Sequence, residues 1–139
     1  CAVLGNDEPR ASLPGEYVVY DNSSGFLDYT EKYTKTGRVE FVVPAPIPKS
    51  LVTKIQRLAI RAFQSVDGAG LARVDFFYKR RTNELLINEL NTLPGLTDVS
   101  GYPKMWAASG LSYSEMLDAL IELAFERHRE KSLNQSTLS

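Results

Sequence analysis

The residues best suited to chemistry sit in two short stretches, Arg73-Val74-Asp75 and Glu89-Leu90-Asn91. Each places two polar side chains two residues apart, the spacing that puts them on one face of a β-strand. The surrounding runs alternate. From Leu71 to Tyr78, Arg73, Asp75 and Phe77 point one way and Ala72, Val74, Phe76 and Tyr78 the other. From Glu84 to Asn91, Leu85, Ile87, Glu89 and Asn91 are expected on one face, with Leu86, Asn88 and Leu90 opposite. The polar Lys79-Arg80-Arg81-Thr82-Asn83 between them reads as a hairpin turn. Centred near Thr82, it sets Asp75 opposite Glu89 and Arg73 opposite Asn91. Two carboxylates facing each other on a sheet repel. A divalent cation would resolve that repulsion, and Asp, Glu and Asn oxygens with an open side suit Mg²⁺, which keeps water or phosphate oxygens as its other ligands. The pattern supports a solvated sheet face equally well, because charges on a wet face are ordinary. A register slip of one residue would also turn a whole strand over.

The elements that must position these groups can be read along the chain. Its 139 residues suit one domain with a moderate core. Residues 1–5 form an apolar strand ended by Gly5-Asn6-Asp7-Glu8-Pro9, and Glu16–Tyr20 a second strand after the Pro14-Gly15 turn. From Asp21 to Gly37 the chain reads as a long surface loop carrying Phe26, Tyr29 and Tyr33, either a lid over a site or a loop anchored by its aromatics. Val39–Val43 is a third strand, closed by three prolines between Pro44 and Pro48. Ser50 is expected to cap a helix whose stripe is Leu51, Ile55, Leu58, Ala59, Ala62, Phe63 and Val66. Gly68 and Gly70 end that helix.

After the hairpin, Thr92–Tyr102 is irregular. Pro103 suits the first turn of a short helix through Ala108 that packs Trp106 inside and stops at Gly110. Ser112-x-x-Glu115 is a capping box for a last helix with Leu117, Leu120, Ile121 and Ala124 buried. His128 belongs to its polar last turn. Residues 131–139 read as a frayed tail after a domain spanning 1–130. The order of elements predicts an α+β fold, a largely antiparallel sheet with helices packed on one face, and leaves the face of Arg73, Asp75, Glu89 and Asn91 toward a cleft or a missing partner domain.

Composition narrows the function classes. Sixteen basic against seventeen acidic residues leave a net charge of −1 and no basic patch, which argues against nucleic acid and membrane surfaces as partners. No apolar run approaches a membrane span. Cys1 is the one cysteine, so an internal disulfide is excluded, and with the one histidine it makes no zinc set. A reduced, cytoplasmic setting fits. The chain opens inside a strand with no initiator Met, which suggests a piece of something longer in preference to a complete small protein whose leader was removed.

Several stretches together resemble the D-alanine–D-alanine ligases of the ATP-grasp superfamily. They are Cys-Ala-Val-Leu-Gly-Asn at 1–6, Pro-Gly-Glu at 14–16, the loop at 26–33, the run at 70–77, Ile-Asn-Glu-Leu-Asn-Thr-Leu-Pro-Gly-Leu-Thr at 87–97, Tyr-Pro-Lys-Met-Trp at 102–106 and Ala-Ser-Gly-Leu-Ser-Tyr at 108–113. The resemblance covers residues 1–130 and only the C-terminal part of the family. It implies a bacterial, cytoplasmic enzyme of peptidoglycan synthesis that joins two D-alanines using ATP through an acyl phosphate. It implies two Mg²⁺ ions, with Mn²⁺ as a substitute, ATP as co-substrate, a homodimer at full length, and a missing N-terminal part as the chain's nearest partner.

By position the resemblance assigns Asp75, Glu89 and Asn91 as metal ligands. Arg73 then stabilises charge in acyl transfer, Gly95 offers its backbone N–H to the oxyanion, and Ser100 with the backbone of Gly101 holds the second D-alanine's carboxylate. Lys32 reaches the phosphates, and Tyr33 closes the loop over the second substrate, as in D-alanine-selective members. Two positions depart from the family: Leu27 stands where an aromatic is usual and Gly101 where a larger apolar residue is usual. Two other classes compete: an ATP-grasp carboxylate–amine ligase with a different amine, and a non-catalytic scaffold domain. The isolated chain is expected to have no ligase activity.

Overall fold

The computed structural model describes residues 1–19 and 39–136. The expected long loop, with Phe26, Leu27, Tyr29, Lys32 and Tyr33, lies outside the described residues. The strands are β1 (Ala2–Gly5), β2 (Arg10–Ala11), β3 (Glu16–Val19), β4 (Val39–Val42), β5 (Gly70–Lys79) and β6 (Glu84–Asn91). The helices are α1 (Lys49–Ser65), α2 (Gly101–Ala108) and α3 (Tyr113–Ser136). Four strands form one sheet in the order β2-β1-β5-β6, antiparallel at every pairing, and β3 pairs antiparallel with β4 in a second, two-stranded sheet. The α+β class is as expected. The two-residue β2 has no signal of its own in the sequence; it exists because the Gly5–Pro9 turn folds the chain back along β1.

The helices, expected on one face of the main sheet, instead divide between its two faces. Val3, Ala72 and Val74 on one face pack with Ile55, Ala59 and Phe63 of α1. Ala2 and Leu4 on the other face pack with Tyr102, Met105 and Trp106 of α2 and with Met116 of α3. The reason lies in β1, whose four residues are all buried: an interior strand with no polar side chain needs cover on both sides. The face that carries Arg73 is therefore covered at its β1 end and opens only toward β6.

Local chemistry sets the helix ends. Pro48, not Ser50, is the residue before α1, with φ −57° and ψ 143° and no side-chain cap. The last proline of the Pro44–Pro48 run already holds the extended geometry a cap needs, and its carbonyl accepts from Leu51 and Val52 N–H at 2.9 and 3.1 Å. Val66, expected in the buried stripe, falls just past the helix and is exposed. In α3 Leu117 and Leu120 pack inward as expected, but the stripe is centred on Met116 rather than running on to Ile121 and Ala124. Met116 is fully buried, and Ala119, Leu120 and Leu123 pack beside it, while Ile121 and Ala124 are exposed. The helix continues to Ser136, past residue 130, where polar composition marks a tail.

Candidate active site

Strands β5 and β6 hold the site. Arg73 lies opposite Asn91, Val74 opposite Leu90 and Asp75 opposite Glu89, the register expected from the turn. Beyond that point the register shifts: Phe76 pairs with Ile87, Phe77 with Leu86 and Tyr78 with Leu85. Asn88 is the extra residue of a β-bulge, and the bulge reverses the expected alternation of β6 on its turn side. Leu85, expected beside Glu89, packs on the α1 core with Phe76 and Leu90. Leu86 moves to the face of Asp75 and Glu89, where it pairs with Phe77; both are exposed. An apolar pair thus adjoins the carboxylates. Strict alternation missed it; the uninterrupted Leu85-Leu86-Ile87 run was its signal.

Arg73 meets the charge problem of this face from inside the chain. Its Nε and Nη2 donate to the two oxygens of Asp75 at 2.7 and 2.8 Å, a bidentate pair, and Nη2 lies 3.9 Å from Glu89 Oε1. The repulsion between Asp75 and Glu89 is therefore eased by a guanidinium, so repulsion alone does not call for a cation. The donor set nevertheless suits one. Asp75 and Glu89 stand side by side next to Asn91, and the Glu89 side chain is 54% exposed. Asn91 Oδ1 accepts from Leu93 N–H at 3.0 Å, which aims its oxygen at the start of the following loop. No cluster of three His, Cys, Asp or Glu suited to a metal occurs among the described residues; this set has two carboxylates and a carboxamide.

The loop from Thr92 to Ser100 leads into α2 and folds tightly. A Cβ on Gly95 would stand 2.7 Å from Ser100 Oγ, so Gly95 and Ser100 are in direct apposition. Ser100 Oγ and Thr97 Oγ1 share a hydrogen bond of 2.8 Å, and Ser100 N–H donates to Thr97 O at 2.9 Å. Ser100 is the cap residue of α2 but makes no side-chain cap bond, and Gly101 opens the helix. First-turn N–H groups with no side-chain cap suit a carboxylate. The departure at Gly101 has a packing reason. A Cβ there would come 3.2 Å from the ring of Phe41, and a Cβ on Gly15 would come within 2.2 Å of the same ring. Phe41 occupies the space that two glycines leave.

Arg73, Asp75, Glu89 and Asn91 thus share one face, and Gly95, Ser100 and Gly101 form the loop that follows; Lys32 and Tyr33 are outside the described residues. A cavity of ≈ 320 Å³ runs along the edge of β5 beyond Val74, lined in part by Arg73, Asp75, Tyr78, Tyr17 and Phe41. Beside it Arg80, from the hairpin turn, grips both carboxylate oxygens of Glu16 at 2.8 and 3.0 Å, tying the hairpin to β3.

The structural neighbours of this arrangement are ligases with the ATP-grasp fold, and the chain has the C-terminal part of that fold. It belongs to the family described as D-ala D-ala ligase C-terminus, which matches residues 1–122. It is similar to the D-alanine–D-alanine ligase of Ruminiclostridium cellulolyticum, at 53% identity over 94% of this chain and 34% of the relative. Among solved structures it is similar to the D-alanine–D-alanine ligase of Coxiella burnetii, with TM-score 0.80, 42% identity and coverage of 99% of this chain and 34% of that one. It is also similar to the VanG D-Ala:D-Ser ligase of Enterococcus faecalis, with TM-score 0.74, 43% identity and coverage of 88% and 34%. The Bacillus anthracis D-alanine–D-alanine ligase complexed with ATP matches with TM-score 0.69 at 25% identity, covering 94% of this chain and 40% of that one. The chain spans about a third of the length of these relatives. No helix among the described residues is long and apolar enough to cross a membrane.

Proposed function

We propose that this chain is the catalytic wall of a bacterial, cytoplasmic D-alanine–D-alanine ligase acting in peptidoglycan synthesis. The observation that carries the reading is the register of β5 on β6, which gathers Arg73, Asp75, Glu89 and Asn91 on one open face. A scaffold domain needs none of these four groups, and Phe77 with Leu86 offers an apolar platform suited to a purine beside them.

In this reading a carboxylate oxygen of the first D-alanine attacks the γ-phosphorus of ATP and ADP leaves. The amine of the second D-alanine then attacks the acyl carbonyl, phosphate departs with the C–O bond electrons, and the amine loses its proton as the amide forms. Such chemistry depends on charge neutralisation more than on a covalent enzyme intermediate. Asp75, Glu89 and Asn91 would hold Mg²⁺, which when bound neutralises phosphate oxygens. Arg73 is already oriented by Asp75 and can donate to the developing oxyanion. Gly95 offers a backbone N–H with no Cβ in the way, and Ser100 with the first turn of α2 receives the second substrate's carboxylate. Lys32 and Tyr33 are proposed for the phosphates and for closure over the second substrate.

The remaining walls come from the other two thirds of the ligase, so the chain alone has no ligase activity. Dipeptide formation by this polypeptide in isolation would overturn that. The test of the whole reading is D-alanine-dependent phosphate release by the ligase that contains this chain, with Glu89→Gln. Activity is expected to vanish while thermal stability stays level or rises slightly; persistent activity removes the metal assignment. Likeness to a D-Ala:D-Ser ligase favours one second reading, D-serine as the attacking amine. The amine that supports faster phosphate release separates the two.

A further inference from the structure

Tyr113, the first residue of α3, lies outside the β5–β6 hairpin, and the reading above gives it no part. Its hydroxyl donates to Leu96 O at 2.9 Å. Leu96 follows Gly95 directly, inside the loop that brings Gly95 against Ser100. The loop's other hydrogen bonds run to itself or to the adjoining end of β6. Ser100 bonds Thr97 through backbone and side chain, and Leu93 N–H bonds Asn91. Among the described residues, Tyr113 is the side chain that ties this loop by a hydrogen bond to a helix outside it.

The base on which Tyr113 stands is firm. Ser112 N–H donates to Glu115 Oε2 at 2.9 Å, and Glu115 N–H returns a bond to Ser112 Oγ at 3.3 Å. Met116 N–H donates to Ser112 O, and the Met116 side chain is fully buried. The helix start is thereby fixed by a capping box and a core anchor, one residue on either side of the tyrosine's own turn. The Tyr113 side chain itself is 46% exposed. Filling the core is not its main role; what it contributes to the loop is a directed hydroxyl.

We infer that Tyr113 is a positioning residue. It holds the Leu96–Thr97 peptide, and through Thr97 it keeps Ser100 facing the second amino-acid substrate. This rests on the proposed ligase reading for its kinetic consequence, but the anchoring is a property of the chain itself. The conformational cost of ordering a short glycine-containing loop falls on substrate binding when the anchor is lost. Chemistry on substrate already seated is left nearly untouched.

The experiment is Tyr113→Phe in the ligase that contains this chain, read in two ways. Steady-state phosphate release is expected to show KM for the second D-alanine raised about five- to tenfold, the effect of roughly one hydrogen bond. Both kcat and KM for ATP should stay within about twofold, and the melting temperature should be nearly unchanged. Hydrogen exchange of the backbone amides between 93 and 100 should accelerate by about fivefold or more, with the amides of α2 and β6 unaffected. An unchanged KM together with unchanged exchange overturns the inference. So does a uniform loss of kcat and both KM values that follows a drop in melting temperature, because that marks a merely structural role. Faster exchange in a protein that releases no phosphate with D-alanine would leave the anchor standing and sink the parent reading instead.

Discussion

Replacing Arg73 with Met keeps a flexible stem of similar width and removes the guanidinium. Two charge-assisted hydrogen bonds to Asp75, at 2.7 and 2.8 Å, go with it. Taken together as one charge-assisted bidentate interaction, they contribute about 1.5–3 kcal/mol. The lower end applies here, because the Asp75 side chain retains 24% of its exposure and is partly solvated. The substitution also leaves Asp75 facing Glu89 across the strands with no cation between them. At a cross-strand separation of about 5 Å that repulsion is about 1 kcal/mol in a water-like medium, the appropriate limit since Glu89 is largely exposed. The expected loss is therefore about 2–3 kcal/mol of unfolding free energy, measured by urea denaturation in the presence of a chelator.

A double-mutant cycle with Asp75→Asn should return a coupling of about 1 kcal/mol or more, because the two residues act as one pair. If Asp75, Glu89 and Asn91 bind Mg²⁺ as proposed, a concentration of ten times Kd should restore about 1.4 kcal/mol to Arg73→Met. A loss under about 0.5 kcal/mol would refute the charge balance drawn for this face. A full loss with no response to Mg²⁺ would refute the metal assignment while leaving the ion pair intact.

Gly95→Ala should force Ser100 Oγ off Thr97, costing about 1 kcal/mol of stability and weakening the hold on the second amino acid. Adding Ser100→Ala should cost little further stability, seen in thermal melts, because the same hydrogen bond is already lost, and should not recover D-alanine affinity. Glu115 is held below the ordinary carboxylate range, first by the Ser112 hydroxyl and then by the Ser112 backbone. A depressed folded-state value means that the cap's contribution is fully present above the unfolded value of 4.5 and fades as pH falls through the lower folded value. Glu115→Gln should accordingly be less stable than the parent at neutral pH, with the difference closing in acid; circular dichroism at 222 nm over an acid titration checks it, and a difference that persists below the folded value would refute it.

Much of the candidate site's framework was legible before any coordinates. The pairing of Asp75 with Glu89 followed from the polar five-residue turn, because register in a hairpin is counted outward from the turn. The capping box at Ser112 and Glu115 and the burial of Trp106 were equally local signals. The failures share one cause. Ser50 has the right side chain for a cap, but the proline run upstream had already set the helix start. Ile121 fits a helical stripe as well as Met116 does, and periodicity carries no absolute phase; which face turns inward depends on where α2 and the sheet stand. The bulge at Asn88 left only an apolar triplet as its trace, since one inserted residue changes pairing without changing composition.

The sequence by itself determined the hairpin, its polar turn, the order of the main elements and which polar residues share the β5–β6 face, because these depend on neighbours within a few residues. The tertiary structure alone decided that the Arg73 guanidinium pairs with Asp75 and reaches within 3.9 Å of Glu89, easing the repulsion between the two carboxylates. It alone set Phe77 and Leu86 beside those carboxylates and brought a tyrosine from the last helix onto the Gly95 loop. Those contacts join positions separated along the chain, and no local preference specifies them; they exist because burying β1 on both faces fixes where every other element must stand.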